Sequence, residues 1–136
     1  MASNAKPHGH FLAGEAGELA GVSGSTIGQW ARWGYIRASQ STGEPHVYSV
    51  EDVAEAAIVH ALLERGVRHR IVGRAIEHLG DYGEWPLSAA PLATTPDGHL
   101  VLLRENGEVY ALSPRGWQLM TAPPELEEIH LRLRRG

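Results

Sequence analysis

The chain has 136 residues, enough for one domain or two small ones, and its 43% hydrophobic and 21% charged residues are ordinary for a globular protein. The absence of cysteine excludes disulfides, thiolate metal sites and cysteine nucleophiles. The formal net charge of −4 argues against strong non-specific DNA affinity unless the basic residues are gathered on one face. No apolar run suits a membrane span or a signal peptide, so we expect a cytoplasmic protein.

The first part of the chain is predicted to be a polar tail followed by two short helices. We expect residues 1–10 to be flexible, with helices near Glu15–Leu19 and Thr26–Trp33. Gly21 can end the first helix in a left-handed conformation, and Ser23 or Ser25 can cap the second. The residues expected to face inward are Ala16, Leu19, Ala20, Ile27, Trp30 and Ala31, with Trp33 packed under the loop that follows. Two helices joined by a short glycine-containing turn indicate a helix-turn-helix unit.

A polar loop and two further helices are predicted next. The loop from Arg37 to Pro45 leads into a short extended run, His46-Val47-Tyr48. Ser49 and Asp52 resemble a capping box at the start of a helix that Gly66 ends. The inward rows expected for this helix are Val50, Val53, Ala57 and Ala61, and Ala54, Ile58 and Leu62. A fourth helix is predicted from Arg68 to Leu79, with arginines on its outer face.

This order of elements resembles the winged helix-turn-helix head of the MerR family of bacterial regulators. The resemblance covers about Phe11 to Leu79. It rests on Phe11, Gly14-Glu15, Leu19-Ala20-Gly21-Val22-Ser23, Thr26-Ile27, Trp30, Gly34-Tyr35-Ile36, Tyr48-Ser49, Glu51-Asp52-Val53 and Gly66. It implies a DNA-binding head, residues 11–82, whose second helix enters the major groove.

The resemblance also implies which side chains meet double-stranded DNA. Outward residues of the second helix and residues of the wing form the predicted DNA-binding set: Ser25, Thr26, Gln29, Arg32, Arg37, His46 and Tyr48. Ser25 and Gln29 can read base edges, whereas Arg32 and Arg37 suit phosphates. The chain departs from the family pattern at Gly28 and His46, where arginine is usual, and at Gln29, where an aromatic residue is common.

The tail departs from the family's usual plan, because no heptad pattern of a dimerising helix follows Leu79. Residues 83–91 contain two prolines and are predicted to be a linker to a small β-rich domain, residues 92–136. We expect a two-residue type I′ turn at Asn106-Gly107 that places Leu103 opposite Tyr110 and Val101 opposite Leu112. Further elements expected here are a strand at Leu92–Thr94, a short helix from Pro114 to Met120 and a strand at Ile129–Arg134. The predicted fold class is therefore α+β, a four-helix winged helix-turn-helix followed by a small antiparallel sheet.

The leading functional hypothesis is a sequence-specific DNA-binding transcriptional regulator that acts as a homodimer. The alternative is an antitoxin-like module whose tail binds a partner toxin while its head represses its own operon. The expected dimer or partner interface is Tyr110, Trp117, Ile129, Leu131 and Leu133. No cofactor is expected, and the eight histidines are too scattered to predict a metal site. No phosphate-binding glycine loop, paired carboxylates or nucleophile elbow predicts an enzyme.

Overall fold

A computed structural model describes residues 6–121 and the backbone of residues 127–128. The chain divides into two compact units, one ending at His60 and the other beginning at Ala61. Helices occupy most of the chain up to residue 89, and an antiparallel sheet follows, as the α+β prediction requires. Among the described residues, no helix combines the length and apolar character that a membrane crossing needs.

The helix-turn-helix consists of α1 (Ala13–Ala20) and α2 (Gly24–Trp33). Gly21 ends α1 at a φ of 88°, and the backbone N–H of Thr26 donates to Ser23 Oγ at 3.1 Å, so both predicted helix ends are confirmed. The buried side of α1 is Ala16, Gly17 and Ala20. The prediction that Leu19 faces inward is wrong, because its side chain is 61% exposed.

Glycine allows α1 to approach the turn closely. A Cβ atom at Gly17 would lie 2.5 Å from the carbonyl oxygen of Val22, and one at Gly24 would lie 3.1 Å from Gly14 Cα. Contacts of 2.5 Å are too short for any real Cβ atom, so Gly17 is required for the observed crossing of the two helices. Leu19 is therefore not needed to fill this junction.

Residues 37–48, hereafter the wing, connect α2 to α3 (Val50–Glu64). Isolated β-bridges join Ser41 to Val47 and Phe11 to Tyr48. At the start of α3 the N–H of Ser49 donates to Asp52 Oδ2 at 2.9 Å, and the N–H of Asp52 donates to Ser49 Oγ at 3.1 Å. The predicted capping box is confirmed, with Asp in place of the usual Glu.

The same carboxylate oxygen holds the beginning of the wing. The N–H of Ser39 donates to Asp52 Oδ2 at 2.8 Å, and Ser39 Oγ lies 2.7 Å from both Asp52 Oδ2 and Ser49 Oγ. Residues before α1 also contact this region, since the Gln40 amide donates to the carbonyls of Pro7 and Gly9 at 3.1 and 2.8 Å. The wing is thus tied to the first turn of α3.

The buried face of α3 differs from the predicted one. Fully or nearly fully buried positions are Asp52, Glu55, Ala56, Ile58, Val59 and Leu62, whereas Val50 is 49% exposed. Asp52 must point inward to accept its hydrogen bonds. The residues three, four and seven positions later, Glu55, Ala56 and Val59, lie on the same side of the helix and therefore also face the interior. Ile58 and Leu62 belong to the predicted rows, but Val50 does not face inward.

Two more helices and a 3-10 turn precede the sheet: α4 (His69–Glu77), the 3-10 turn (Gly80–Tyr82) and α5 (Pro86–Ala89). The segment predicted as a linker, residues 83–91, therefore contains a short helix. Leu87 within this helix and Ala90 directly after it are buried. The functional division at this segment stays a prediction.

The described strands are β1 (Leu92–Thr94), β2 (Leu100–Leu103), β3 (Val109–Ser113), β4 (Gly116–Leu119) and β5 (Glu127–Glu128). They form one antiparallel sheet in the order β4-β3-β2-β1-β5. The buried residues of β1 and β2 form the core of the sheet. The predicted strand at Leu92–Thr94 is confirmed, whereas the predicted strand at Ile129–Arg134 lies outside the described residues.

The predicted register of the β2–β3 hairpin is wrong by one residue. Leu103 pairs with Val109 and Val101 pairs with Ala111. A type I′ turn needs positive φ at both central residues, but only Gly107 has it, at 86°. The N–H of Arg104 donates to the Glu108 carbonyl at 2.9 Å, so the loop has three residues rather than two.

The predicted helix from Pro114 to Met120 is also wrong. Pro114 and Arg115 form a turn, and β4 pairs with β3 through Leu112 opposite Trp117. Ser113 Oγ donates to the Gly116 carbonyl at 2.9 Å and supports this turn. The available edge of β3 gives this segment backbone partners that outweigh a single helical turn.

Candidate nucleic-acid interface

Helix α2 separates a buried side from an exposed polar side. Ile27 and Trp30 are buried, as predicted, whereas Ser25, Gln29 and Arg32 are exposed. These three positions are spaced by one or two helical turns, so they share one face. Arg32 also lies in the last turn, where the helix dipole favours a cation.

Thr26 has a structural role beside its predicted DNA contact. Its N–H donates to Ser23 Oγ, and the hydroxyls of Ser23 and Thr26 lie 2.9 Å apart. The side chain is half-buried at the first turn of α2. The cap fixes the end of the helix that would enter DNA first.

A groove of about 250 Å³ separates α2 from the wing. This helix–wing groove is lined by Ala13, Gly28, Arg32, Glu44, Pro45, His46 and Tyr48. A Cβ atom at Gly28 would lie 3.5 Å from Arg32 Nη1, so the guanidinium lies over the glycine. The missing side chain at position 28 thus leaves room for a cation supplied one turn later.

His46 lies on the wing side of this groove. Its Nδ1 lies 2.7 Å from the Gly43 carbonyl oxygen, and the side chain of Glu44 is 3.7 Å away. A carbonyl oxygen only accepts, so this hydrogen bond requires a proton on Nδ1 of His46. The His46 side chain is 32% exposed and that of Glu44 is 96% exposed, so solvent reaches both.

Tyr48 lies at the bottom of the groove, and its side chain is only 1% exposed. Burial, together with the nearby Asp52 carboxylate, raises the pKa of the Tyr48 phenol. Tyr48 is therefore neutral at physiological pH and supports the wing from below. The direct contact of Tyr48 with DNA stays a prediction, and only a small exposed area of the side chain is available for it.

Trp33, the last residue of α2, lies at the surface. Trp33 is 51% exposed, so the prediction that it packs under the wing is wrong. Its ring lies 5.5 Å from that of Tyr35 in an edge-to-face arrangement. Arg37, in the segment that follows, is exposed.

Sequence reasoning missed two features of the groove. The family pattern indicates that the usual arginine is missing at position 28. It does not indicate that the Arg32 guanidinium lies over Gly28. The sequence also places Glu44 in a polar loop without indicating that its carboxylate lies beside His46. Neither could be found from spacing, because both depend on how the wing folds back toward α2.

Two residues of the predicted tail interface are described. Tyr110 is half-buried, its hydroxyl donates to Glu108 Oε1 at 3.1 Å, and Arg104 lies 5.4 Å from its ring centre. The Glu108 carboxylate, as hydrogen-bond acceptor, raises the pKa of the Tyr110 phenol. The Trp117 indole donates to the His78 carbonyl at 2.9 Å. Ile129, Leu131 and Leu133 lie outside the described residues.

Within the described ranges, no three histidine or carboxylate side chains converge as metal ligands would. The candidate site consists of a polar helix face, one guanidinium over a glycine, and a histidine–glutamate pair on the wing.

Comparison with known proteins supports the assignment of the N-terminal part. Residues 12–78 match the model of the MerR HTH family of regulatory proteins. No curated protein and no solved structure matches this chain. The matched residues include α1, α2, the wing, α3 and α4, in the order described above. Residues 12–78 thus form a head that belongs to the MerR family of helix-turn-helix regulatory proteins.

Proposed function

We propose that this protein is a sequence-specific DNA-binding transcriptional regulator of the MerR type. The observation that carries the proposal is the exposed face of α2, where Ser25, Gln29 and Arg32 lie opposite the buried Ile27 and Trp30. A recognition helix that enters the major groove needs this arrangement, with polar side chains toward the bases and apolar ones toward its own domain. The family match supports the same role.

Each exposed side chain suits a particular contact. Gln29 can donate to and accept from an adenine edge, and Ser25 can pair with several bases. Arg32, Arg37 and His46 suit phosphates, which position the protein without reading sequence. Thr26 and Tyr48 support this surface from the helix cap and the groove floor.

The proposed active form is a homodimer. A chain with a formal net charge of −4 gains little from general electrostatic attraction to DNA. Two heads double the number of phosphates neutralised and of bases read. The proposed interface is in the tail, at Tyr110, Trp117, Ile129, Leu131 and Leu133. None of the comparisons supports the antitoxin alternative, and no toxin partner is proposed.

Selection from random duplex DNA tests the proposal directly. The 136-residue chain is incubated with a random duplex library, and bound DNA is amplified and sequenced through several rounds. We expect an enriched motif with two related halves, because a two-fold dimer reads two half-sites. A library that stays random, at low as well as physiological salt, would contradict the proposal.

The selected duplex then allows a control for the binding surface. Gln29→Ala should weaken binding to it, whereas Gln118→Ala should not. Gln118 is an exposed glutamine on β4, outside the proposed DNA surface. Equal losses in both variants would mean that the assay reports general damage.

A further inference from the structure

We propose that a recess beside the β2–β3 loop, hereafter the loop recess, binds a small carboxylate carried on an aromatic ring. The described residues that line it lie between positions 82 and 106, outside the range 12–78 that matches the family. The site therefore goes beyond the proposed function, and binding there does not require that the protein bind DNA.

The loop recess has a volume of about 650 Å³, and part of its lining is apolar. Volumes of about 300–1,000 Å³ are typical of sites that bind small molecules. The apolar part consists of Ala89, Pro91 and Leu103, together with the ring of Tyr82. Ala89 is exposed and the other three are half-buried, so solvent reaches this surface. A ligand ring that covers it would remove apolar surface from water.

The fold holds this apolar surface in place. The N–H of Leu103 donates to the Pro91 carbonyl at 2.8 Å, which continues the pairing of β1 with β2. Ala90 and Leu102, which precede Pro91 and Leu103 in the chain, are fully buried. A ligand therefore meets a surface that is already formed, which lowers the cost of ordering it on binding.

Arg104 supplies a positioned cation in the lining. Its Nη1 donates to the Tyr82 hydroxyl oxygen at a long distance of 3.4 Å, and its guanidinium carbon lies 5.4 Å from the ring centre of Tyr110. Attraction to the face of an aromatic ring favours this position of the guanidinium. Among the described residues, no carboxylate forms an ion pair with Arg104. Its positive charge can therefore be matched by an anionic ligand.

Two carboxylates of the same loop must be considered. Oε1 of Glu108 accepts from the Asn106 amide at 2.7 Å and from the Tyr110 hydroxyl at 3.1 Å, so this carboxylate is satisfied without Arg104. Glu105 is exposed and is the acidic residue among the described lining residues. Because solvent screens an exposed charge, Glu105 should weaken the binding of an anion without preventing it.

A carboxylate matches the donors of the loop recess. A guanidinium presents parallel N–H groups that suit the two oxygens of a carboxylate. The Tyr82 hydroxyl accepts from Arg104 and keeps its own proton, which it can donate to the same carboxylate. A flat ring attached to the carboxylate can cover Pro91 and Leu103 and contact the Tyr82 ring. These features together favour an aromatic carboxylate over a purely polar anion or an uncharged apolar compound.

The test titrates the 136-residue chain with naphthoate and measures binding by isothermal titration calorimetry. Two further probes carry the same ring system: naphthalenemethanol, which is uncharged, and naphthylmethylamine, which is a cation at neutral pH. Naphthoate should bind about tenfold more tightly than either, because it alone can accept charge-assisted hydrogen bonds from Arg104.

Variants assign the affinity to the loop recess. Arg104→Gln should weaken naphthoate binding by about tenfold, because a hydrogen bond from a charged group is lost. Tyr82→Phe keeps the ring and should weaken binding by about threefold, whereas Glu105→Gln should strengthen it by about twofold. Arg115→Gln is the matched control, since Arg115 is an exposed arginine in the β3–β4 turn, outside the described lining.

Circular dichroism shows whether each variant is folded. Equal naphthoate affinities of Arg104→Gln and Arg115→Gln, or a wild type that binds naphthoate no more tightly than naphthalenemethanol, would refute the site. If Arg104→Gln does not fold, Glu105→Gln decides, since the site requires that this change strengthen the binding of naphthoate and not of the cation. None of these results bears on DNA binding, which the random-library selection tests separately.

Discussion

Arg32 has the best-defined setting of the cations proposed to meet DNA. It is held over Gly28 on one side of the helix–wing groove, whereas Arg37 lies in the segment after α2. The two arginines therefore come from different elements and can neutralise different phosphates. Their contributions should be independent of base sequence, because phosphates are the same at every step.

Arg32→Ala and Arg37→Ala should each weaken binding to all duplexes and lower the salt slope by about one unit. Titrations at several salt concentrations measure both quantities. Arg115→Ala is the control, because Arg115 is exposed in the β3–β4 turn. An unchanged slope in the Arg32 and Arg37 variants would remove these residues from the DNA surface.

Gln29 should behave differently because it is proposed to read a base. Gln29→Ala should cost about 1–3 kcal/mol of binding free energy at a single base position and relax the preference there. Binding of the variant to all single-base changes of the selected duplex gives this profile. A uniform loss across the whole set would make Gln29 a phosphate contact instead.

At the scale of elements, the packing of α1 against the following turn depends on one glycine. Gly17 and Gly14 both lie in α1, but a Cβ at Gly17 would meet the Val22 carbonyl at 2.5 Å, whereas one at Gly14 would meet nothing within 4 Å. The two positions form a matched pair, since the same substitution changes helix propensity at both and packing at only one.

Gly17→Ala should destabilise the protein by about 1–3 kcal/mol through overpacking. Gly14→Ala should instead raise the free energy of unfolding by up to about 1 kcal/mol, because alanine favours the helix. Urea unfolding followed by circular dichroism measures both changes. Similar effects at the two positions would show that the junction adapts to an added methyl group.

The elements predicted correctly are those whose signals are local. Helix ends at Gly21 and Gly66 need only a left-handed residue, and the Ser49–Asp52 box needs two residues three apart. The buried face of α3 was mispredicted because a polar residue, Asp52, is buried by partners from the wing. Apolar periodicity cannot show such a partner.

The two wrong predictions for the sheet also arise from contacts that the sequence does not show. The Asn106-Gly107 pair favours a two-residue turn, yet the Asn106 side chain accepts from the Glu108 N–H at 3.0 Å and fits a three-residue loop. The segment around Trp117 is predicted to be a helix when its sequence is considered alone. In the structure its backbone pairs with β3, and the Trp117 indole donates to the His78 carbonyl. The sequence does not predict that Arg32 and Glu44 line one groove, because only the folding of the wing brings these two charges together.

At the scale of the whole molecule, the tail carries the proposed self-association. β5, Glu127–Glu128, pairs with β1 and lies at one edge of the described sheet. A shortened chain that ends at Pro123 lacks this strand and the predicted interface residues Ile129, Leu131 and Leu133. Edge strands pair readily with a second chain, so this end suits a dimer contact.

The shortened chain should keep a folded helical head but lose self-association. Light scattering gives the mass of each form in solution, and circular dichroism reports the helices. The DNA affinity of the shortened chain should fall as well, because each head then binds alone. A shortened chain that stays dimeric would place the interface in the helices, with the exposed residues of α4 as the next candidates.

The shared acceptor at Asp52 has a consequence for local opening. Its Oδ2 holds the N–H of Ser39, where the wing begins, and the N–H of Ser49, where α3 begins. Movement of this one carboxylate frees both amides, so the two should exchange with deuterium at matching rates, as members of one cooperative unit. DNA that holds the wing in place should slow both exchanges together, so these two backbone amides would report that the protein is bound.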